Sequence, residues 1–154
     1  MSHVVSIKTE VFDLECFAKA CKDLGLNYDP AGKNVRWYGK WMDDYSREDA
    51  AYKLGIKPEQ YGTSDGGVVS VNGSAYDIGL IKNKETGGFK MYFDFFGHNG
   101  KTIQTAIGVN GEKLIQGYAT HKVTKSMQAL RSQGYVVKAP ERVGEKIVIR
   151  AVSA

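Results

Sequence analysis

The sequence has few of the features that identify a protein at sight. Only two cysteines and three prolines occur in 154 residues. Cys16 and Cys21 stand five apart in a segment that reads as one helix. That spacing turns them about 140° around the axis and holds their Cα atoms beyond the roughly 7 Å a disulfide tolerates. They read as free thiols, with Cys21 on the buried face, which favours a reducing, cytoplasmic compartment. There is no C-x-x-C, no Cys/His zinc spacing and no haem motif. A serine-nucleophile elbow (G-x-S-x-G) and the H-E-x-x-H metal motif are also missing. No stretch approaches 18 apolar residues, which excludes a transmembrane helix of ordinary kind. The opening Met1–Lys8 segment has no basic region followed by an apolar block, so no secretory signal is expected. No internal repeat or low-complexity tract is visible.

What is present is an ordinary globular composition. Hydrophobic residues make up 42% and charged residues 25%, enough for one core in a single domain spanning residues 1–154. The formal net charge is +4 and the pI about 9.0. This mild basic excess suits an anionic partner but lacks the concentrated run of a nucleic-acid tail, so nucleic acid is not the expected partner.

Residues 4–11 alternate as a half-buried strand. Asp13 then reads as the N-cap of a helix carrying Leu14, Phe17, Ala18, Cys21 and Leu24 on one face, with Gly25 as its stop. Residues 27–34 read as turn, and Val35–Tyr38 as a short strand. An irregular, exposed insertion is expected at 39–67, where Ser46 and Asp49 read as a capping box before a short helix closed by Gly55. Strands at 68–71, 76–82 and 89–96 form an antiparallel meander, with Asn72-Gly73 a turn and Asn83–Gly88 a hairpin loop. In the last strand Phe89, Met91, Phe93 and Phe95 share one face. Residues 112–133 form the longest helix, with Ile115, Ala119, Val123, Met127 and Leu130 as its core stripe. Two strands, 135–138 and 146–152, close the chain as a hairpin. The fold class that follows is α+β: an antiparallel sheet with two main helices on one face in a two-layer sandwich, plus a short helical insertion.

Gly97-His98-Asn99-Gly100-Lys101-Thr102 ends like a phosphate-binding loop. The motif needs a glycine at position 95, which is phenylalanine, so the segment reads as a surface hairpin. His3, His98 and His121 stand apart without neighbouring ligands, and no metal site is expected. Asp77 and Asp94 lie on adjacent strands. Facing each other they have the makings of acid–base or metal chemistry; otherwise they are single carboxylates on the solvent face of the sheet. Arg36, Trp37, Tyr38, Lys40 and Trp41, with Tyr45 nearby, combine flat rings and cations. Such a cluster stacks a base and neutralises its phosphates, forms a protein interface, or packs structurally. On the long helix, Tyr118, His121 and Lys125 form a flank beside the core stripe, with Lys122 between flank and core. No acid on that helix faces them, which leaves an anion contact or a solvated basic face.

The opening Met1-Ser2-His3-Val4-Val5-Ser6-Ile7-Lys8-Thr9, with Asp13-Leu14 and Lys22-Asp23-Leu24-Gly25, resembles the start of the family known as hypothetical chloroplast reading frame thirty-five. Its members occur in cyanobacteria and red-algal plastids, and related short proteins in other bacteria and phages. Tyr76–Leu80, Tyr118-Ala119 and Gln133–Val137 are similar to its central strand and its helix running into the final hairpin. The resemblance covers about residues 1–28, 68–96 and 112–152; residues 39–67 and part of 97–111 look enlarged. It implies a small intracellular α+β protein without a recognised enzyme signature, and it brings no catalytic residues. The expected function is therefore a non-catalytic, cofactor-free binding protein for a small anionic or nucleotide-type ligand, with a homo-oligomer as one assembly open to it. One form of it is a phage protein in the host cytoplasm that sequesters a nucleotide signal; a plastid stroma is another setting. The alternatives are an adaptor using the aromatic surface, and an enzyme built on Asp77, Asp94 and His121.

Overall fold

The computed structural model describes residues 4–36, 51, 52, 54–144 and 146–153. Its centre is a five-stranded sheet in the order β1-β5-β4-β3-β2, every neighbouring pair antiparallel. The strands are β1 (Val4–Val11), β2 (Asn27–Asp29), β3 (Val68–Ser70), β4 (Asp77–Lys82) and β5 (Phe89–Asp94). Helix α1 (Leu14–Asp23) and a long bent helical arm, α2 (Gly97–Ile107) and α3 (Glu112–Ser132), pack against the sheet. This is the α+β arrangement the hydrophobic pattern implies.

Local chemistry explains α1. The Asp13 carboxylate accepts the Cys16 N–H at 3.0 Å, Glu15 sits in the first turn and Lys22 in the last. At the other end Gly25 takes φ 71, and the Gly25 and Leu26 N–H groups donate to the Lys22 and Cys21 carbonyls. That pair of bonds is a Schellman stop, which satisfies carbonyls the helix leaves open. Phe17, Ala20 and Cys21 enter the main core with Ile7, Val11, Ile78, Leu80, Met91 and Phe93. Burial pushes the Cys21 thiol up to about 12.

The sheet's second face is also covered. Tyr61, Leu54 and Ile56 pack over Val4, Val68, Ile81 and Tyr92, together with Val35. The segment expected as an exposed excursion therefore carries buried residues: Ala51, Tyr61, Gly62, Ser64, Gly66 and Gly67. Its glycines, which signal solvent-facing turns in sequence, here allow close packing. Within β4 the same logic holds at Gly79, where an added Cβ would meet Val35 Cγ2 at 2.7 Å.

Four further expectations are corrected. Residues 27–29 form the edge strand β2 rather than turn. Asn27 and Asp29 are of types depleted in strands, whereas Tyr28 is of a type that favours them; its ring meets Phe17 edge-on at 5.2 Å and its hydroxyl donates to the Gly66 carbonyl. The Gly97–Thr102 segment opens helix α2 rather than forming a hairpin. Ile103 and Ile107 bury one face, and the backbone of Phe95 lies where any Cβ on Gly100 would stand. In α3 the fully buried positions are Leu114 and Tyr118, whereas Ile115, Ala119, Val123, Met127 and Leu130 are half-buried. The closing hairpin is split into β6 (Tyr135–Val137) with β9 (Ala151–Ser153), and β7 (Glu141–Val143) with β8 (Lys146–Val148), apart from the main sheet. Pro140, which has no N–H for a ladder, stands at the break.

The edge strand β1 is irregular. Its pairing with β5 passes from Ile7↔Met91 to Val11↔Phe89, so three residues of β1 oppose one of β5. This bulge carries Glu10 to the β4–β5 hairpin, where it accepts from Asn83 Nδ2 and Thr86 Oγ1.

Candidate binding cleft

The helix-borne candidates are engaged inside the molecule. The Tyr118 hydroxyl accepts the N–H groups of Phe12 and Asp13 at 2.8 and 3.0 Å, tying α3 to the corner between β1 and α1. Lys125 Nζ lies 2.7 Å from Asp13, and His121 Nε2 lies 2.6 Å from Asp23. The Lys125 hydrogen bond, aided by the Cys16 N–H, holds the Asp13 carboxyl at about 2 and raises Lys125 in return. Lys122 sits over the rings of Phe12 and Tyr118 at 6.0 and 5.8 Å, a cation–π arrangement. The acids that meet this flank are Asp13, the N-cap of α1, and Asp23, its last residue, so Lys125 and His121 are partnered within the molecule.

Of the aromatic–basic cluster, only Arg36 falls within the described residues; Trp37, Tyr38, Lys40, Trp41 and Tyr45 lie outside them. Arg36 makes a bidentate fork on Asp77, Nε to Oδ2 at 2.9 Å and Nη2 to Oδ1 at 2.8 Å, and its backbone N–H adds a third bond at 3.0 Å. The Arg36 side chain is 50% exposed. It lines a polar cleft of about 530 Å³ with Asn27, Asn34 and Ser70.

The β4–β5 register, continued past Gly79↔Tyr92, sets Asp77 across from Asp94. Both carboxylates are buried on the face the insertion covers, not on a solvent face. Asp77 accepts three donors from Arg36, and Asp94 Oδ1 accepts the Phe96 N–H at 2.8 Å. Both Asp77 oxygens are thus engaged by Arg36. Among the described residues no group of three His, Cys, Asp or Glu side chains is arranged to hold a metal.

A cleft that sequence reasoning missed lies between the insertion and the β4–β5 hairpin. Its volume is about 500 Å³, within the range of small-molecule sites. The insertion supplies one wall, from Gly55 through Lys57 to Gln60. The hairpin and its strands supply the other: Lys82, Asn83, Lys84, Glu85 and Lys90. Ile56 and Ile81 line the apolar part, with Tyr92 beneath. Lys90 stands opposite Ile81 in the strand register and so shares its face. Lys82 pairs with Phe89 and so alternates to the other face. Lys57, Lys84 and Lys90 thus stand with one lining carboxylate, Glu85, and with Glu10 held behind Asn83. None of these three lysines takes part in the ion pairs of the described residues.

The cleft has a built frame. The Tyr92 hydroxyl donates to the Leu54 carbonyl at 3.4 Å, and burial raises its pKa to about 12. Lys57 opens a 3-10 turn, Pro58–Gln60, in which Gln60 Oε1 accepts the Lys57 N–H at 2.8 Å. Across from it, Asn83 Oδ1 accepts the Glu85 N–H at 3.1 Å, and the Gly87 N–H closes on the Asn83 carbonyl at 2.7 Å. The density of lysine between 82 and 90 was visible in the sequence; Lys57 joins it only through the fold.

A third cleft, about 710 Å³, is mainly apolar, with Ile7, Phe93, Phe95, Val109 and Ile115 along it. No helix among the described residues is long and apolar enough to cross a membrane. No protein-family model, curated protein or solved structure matches the chain.

Proposed function

We propose that the protein is a non-catalytic binding protein for a small anionic ligand, held in the cleft between the insertion and the β4–β5 hairpin. The observation that carries this reading is the set of lysines at one pocket of ligand size, Lys57, Lys84 and Lys90, none of them in an ion pair among the described residues. Cations gathered at a concave surface raise the local potential and attract anions. Elsewhere the basic groups first suspected, His121 and Lys125, are engaged by Asp23 and Asp13. A cytoplasmic setting accompanies the proposal, supported by the two buried free thiols.

Differential scanning fluorimetry against a panel of phosphorylated and carboxylated small molecules tests it. A ligand at about 100 times its Kd stabilises by about 2.7 kcal/mol, a shift of about 5–10 °C for a chain of this size. Lys57→Gln and Lys90→Gln are each expected to weaken binding by roughly fivefold to tenfold, about 1–1.4 kcal/mol. Affinity should fall as salt rises. A panel without a single shift counts against the reading.

A second reading, a protein-interaction adaptor, is favoured by one observation. The apolar cleft is rimmed by Phe95 and Val109, 40% and 61% exposed. Exposed apolar groups beside a groove are typical of partner surfaces. A pull-down that loses its partner on Val109→Asp would support this reading.

A further inference from the structure

The single acid of the lysine cleft bears on the kind of ligand it takes. Glu85 is exposed at the hairpin tip, and its carboxylate joins none of the ion pairs of the described residues. Against a ligand that is nothing but negative charge, this carboxylate only repels. Against hydroxyl groups it is a strong acceptor, because a bond to an ionised group outweighs a neutral one. Two amides line the same pocket. Gln60 spends its oxygen on the Lys57 N–H, which leaves its NH₂ to donate outward. The lysines stand on two separately built walls, Lys57 on the insertion and Lys84 and Lys90 on the hairpin and β5. A ligand using both walls needs more than one anionic group.

We infer that the ligand is a polyphosphorylated compound bearing free hydroxyls, the chemistry of a nucleoside polyphosphate, with its phosphates on Lys57, Lys84 and Lys90 and its hydroxyls read by Glu85. This rests on the anion-binding reading of the cleft. Gln60 donates to phosphate or hydroxyl oxygen, and Ile56 and Ile81 cover the ligand's less polar face. An inorganic polyanion meets the lysines but gains nothing from Glu85.

The test is isothermal titration calorimetry on the full chain with two probes, ribonucleoside triphosphates and inorganic triphosphate, on wild type and Glu85→Gln. Circular dichroism verifies that each variant is folded. The nucleotide is expected to bind wild type about tenfold more tightly than inorganic triphosphate. Glu85→Gln should weaken the nucleotide several-fold and strengthen inorganic triphosphate, because the same change removes an acceptor from one and a repulsion from the other. A 2′,3′-dideoxy nucleotide should bind wild type at least as weakly as the ribonucleotide binds Glu85→Gln, because it loses the hydroxyl contact and keeps the repulsion. If Glu85→Gln strengthens both probes, or both bind wild type equally, the hydroxyl-reading role is overturned while the anion cleft stands. If neither probe binds wild type, or Lys57→Gln and Lys90→Gln leave binding unchanged, the cleft reading falls and this inference with it.

Discussion

Lys125 and Asp13 lie at opposite ends of the sequence, yet each sets the other's charge. Asp13 is held at about 2 against an ordinary 3.8, mainly by the Lys125 hydrogen bond. A carboxyl depressed in the folded state contributes stability that is complete above its unfolded pKa and is lost as pH falls through the folded one. Urea denaturation between pH 6 and pH 2 should therefore show stability falling from about pH 4 towards pH 2, and Lys125→Met should flatten part of that slope. An unchanged slope in the variant would mean that Lys125 does not hold Asp13. This pair marks a boundary of sequence reading. The capping role of Asp13 was legible, because a cap acts within four residues. Its partner was not, because α3 alone shows Lys125 with no acid nearby. Tyr118 is similar: its place on the helix was legible, but the two backbone N–H groups that reach its hydroxyl come from the far end of the chain.

Elements were legible where their signal is periodic. The strand at 4–11, α1, the β4–β5 hairpin and α3 follow from alternation, from i, i+3, i+4 spacing and from caps. Elements failed where composition points one way and packing the other. Gly97, Asn99 and Gly100 are poor helix residues, yet α2 starts there because Ile103 and Ile107 seal the core. The insertion's glycines were read as exposure, yet they mark where backbone and side chains come close to the sheet. Gly79 tests that reading. Gly79→Ala should cost about 1–3 kcal/mol by forcing a Cβ onto Val35, the usual toll of overpacking. Val35→Ala in the same chain should recover part of the loss, as a double-mutant cycle in chemical denaturation would measure. Equal, additive losses would place the strain elsewhere.

At the scale of the molecule, the candidate cleft is a product of topology. The lysines of 82–90 are close in sequence, but a cleft exists only because the insertion folds back over the second face and sets Lys57 beside them. No local pattern announces that return, so the site was not legible as a site. Its geometry also links binding to one part of the fold. With inorganic triphosphate bound, hydrogen exchange should slow at 55–60 and 83–88, which form the two walls, and stay unchanged in α1 and α3 on the opposite face. Protection confined to α1 and α3 would put the ligand on the wrong side of the sheet.

The sheet separates two hydrophobic cores, a large one under the helices and a small one under the insertion. Their side chains alternate along the same strands, so neither core supplies a packing partner to the other. Evolution can thus rewrite the insertion, length and charge alike, while the helical side keeps its sequence. The limit is set by Val4, Val68, Ile81 and Tyr92, which any descendant that discards the insertion must cover again or replace with polar residues.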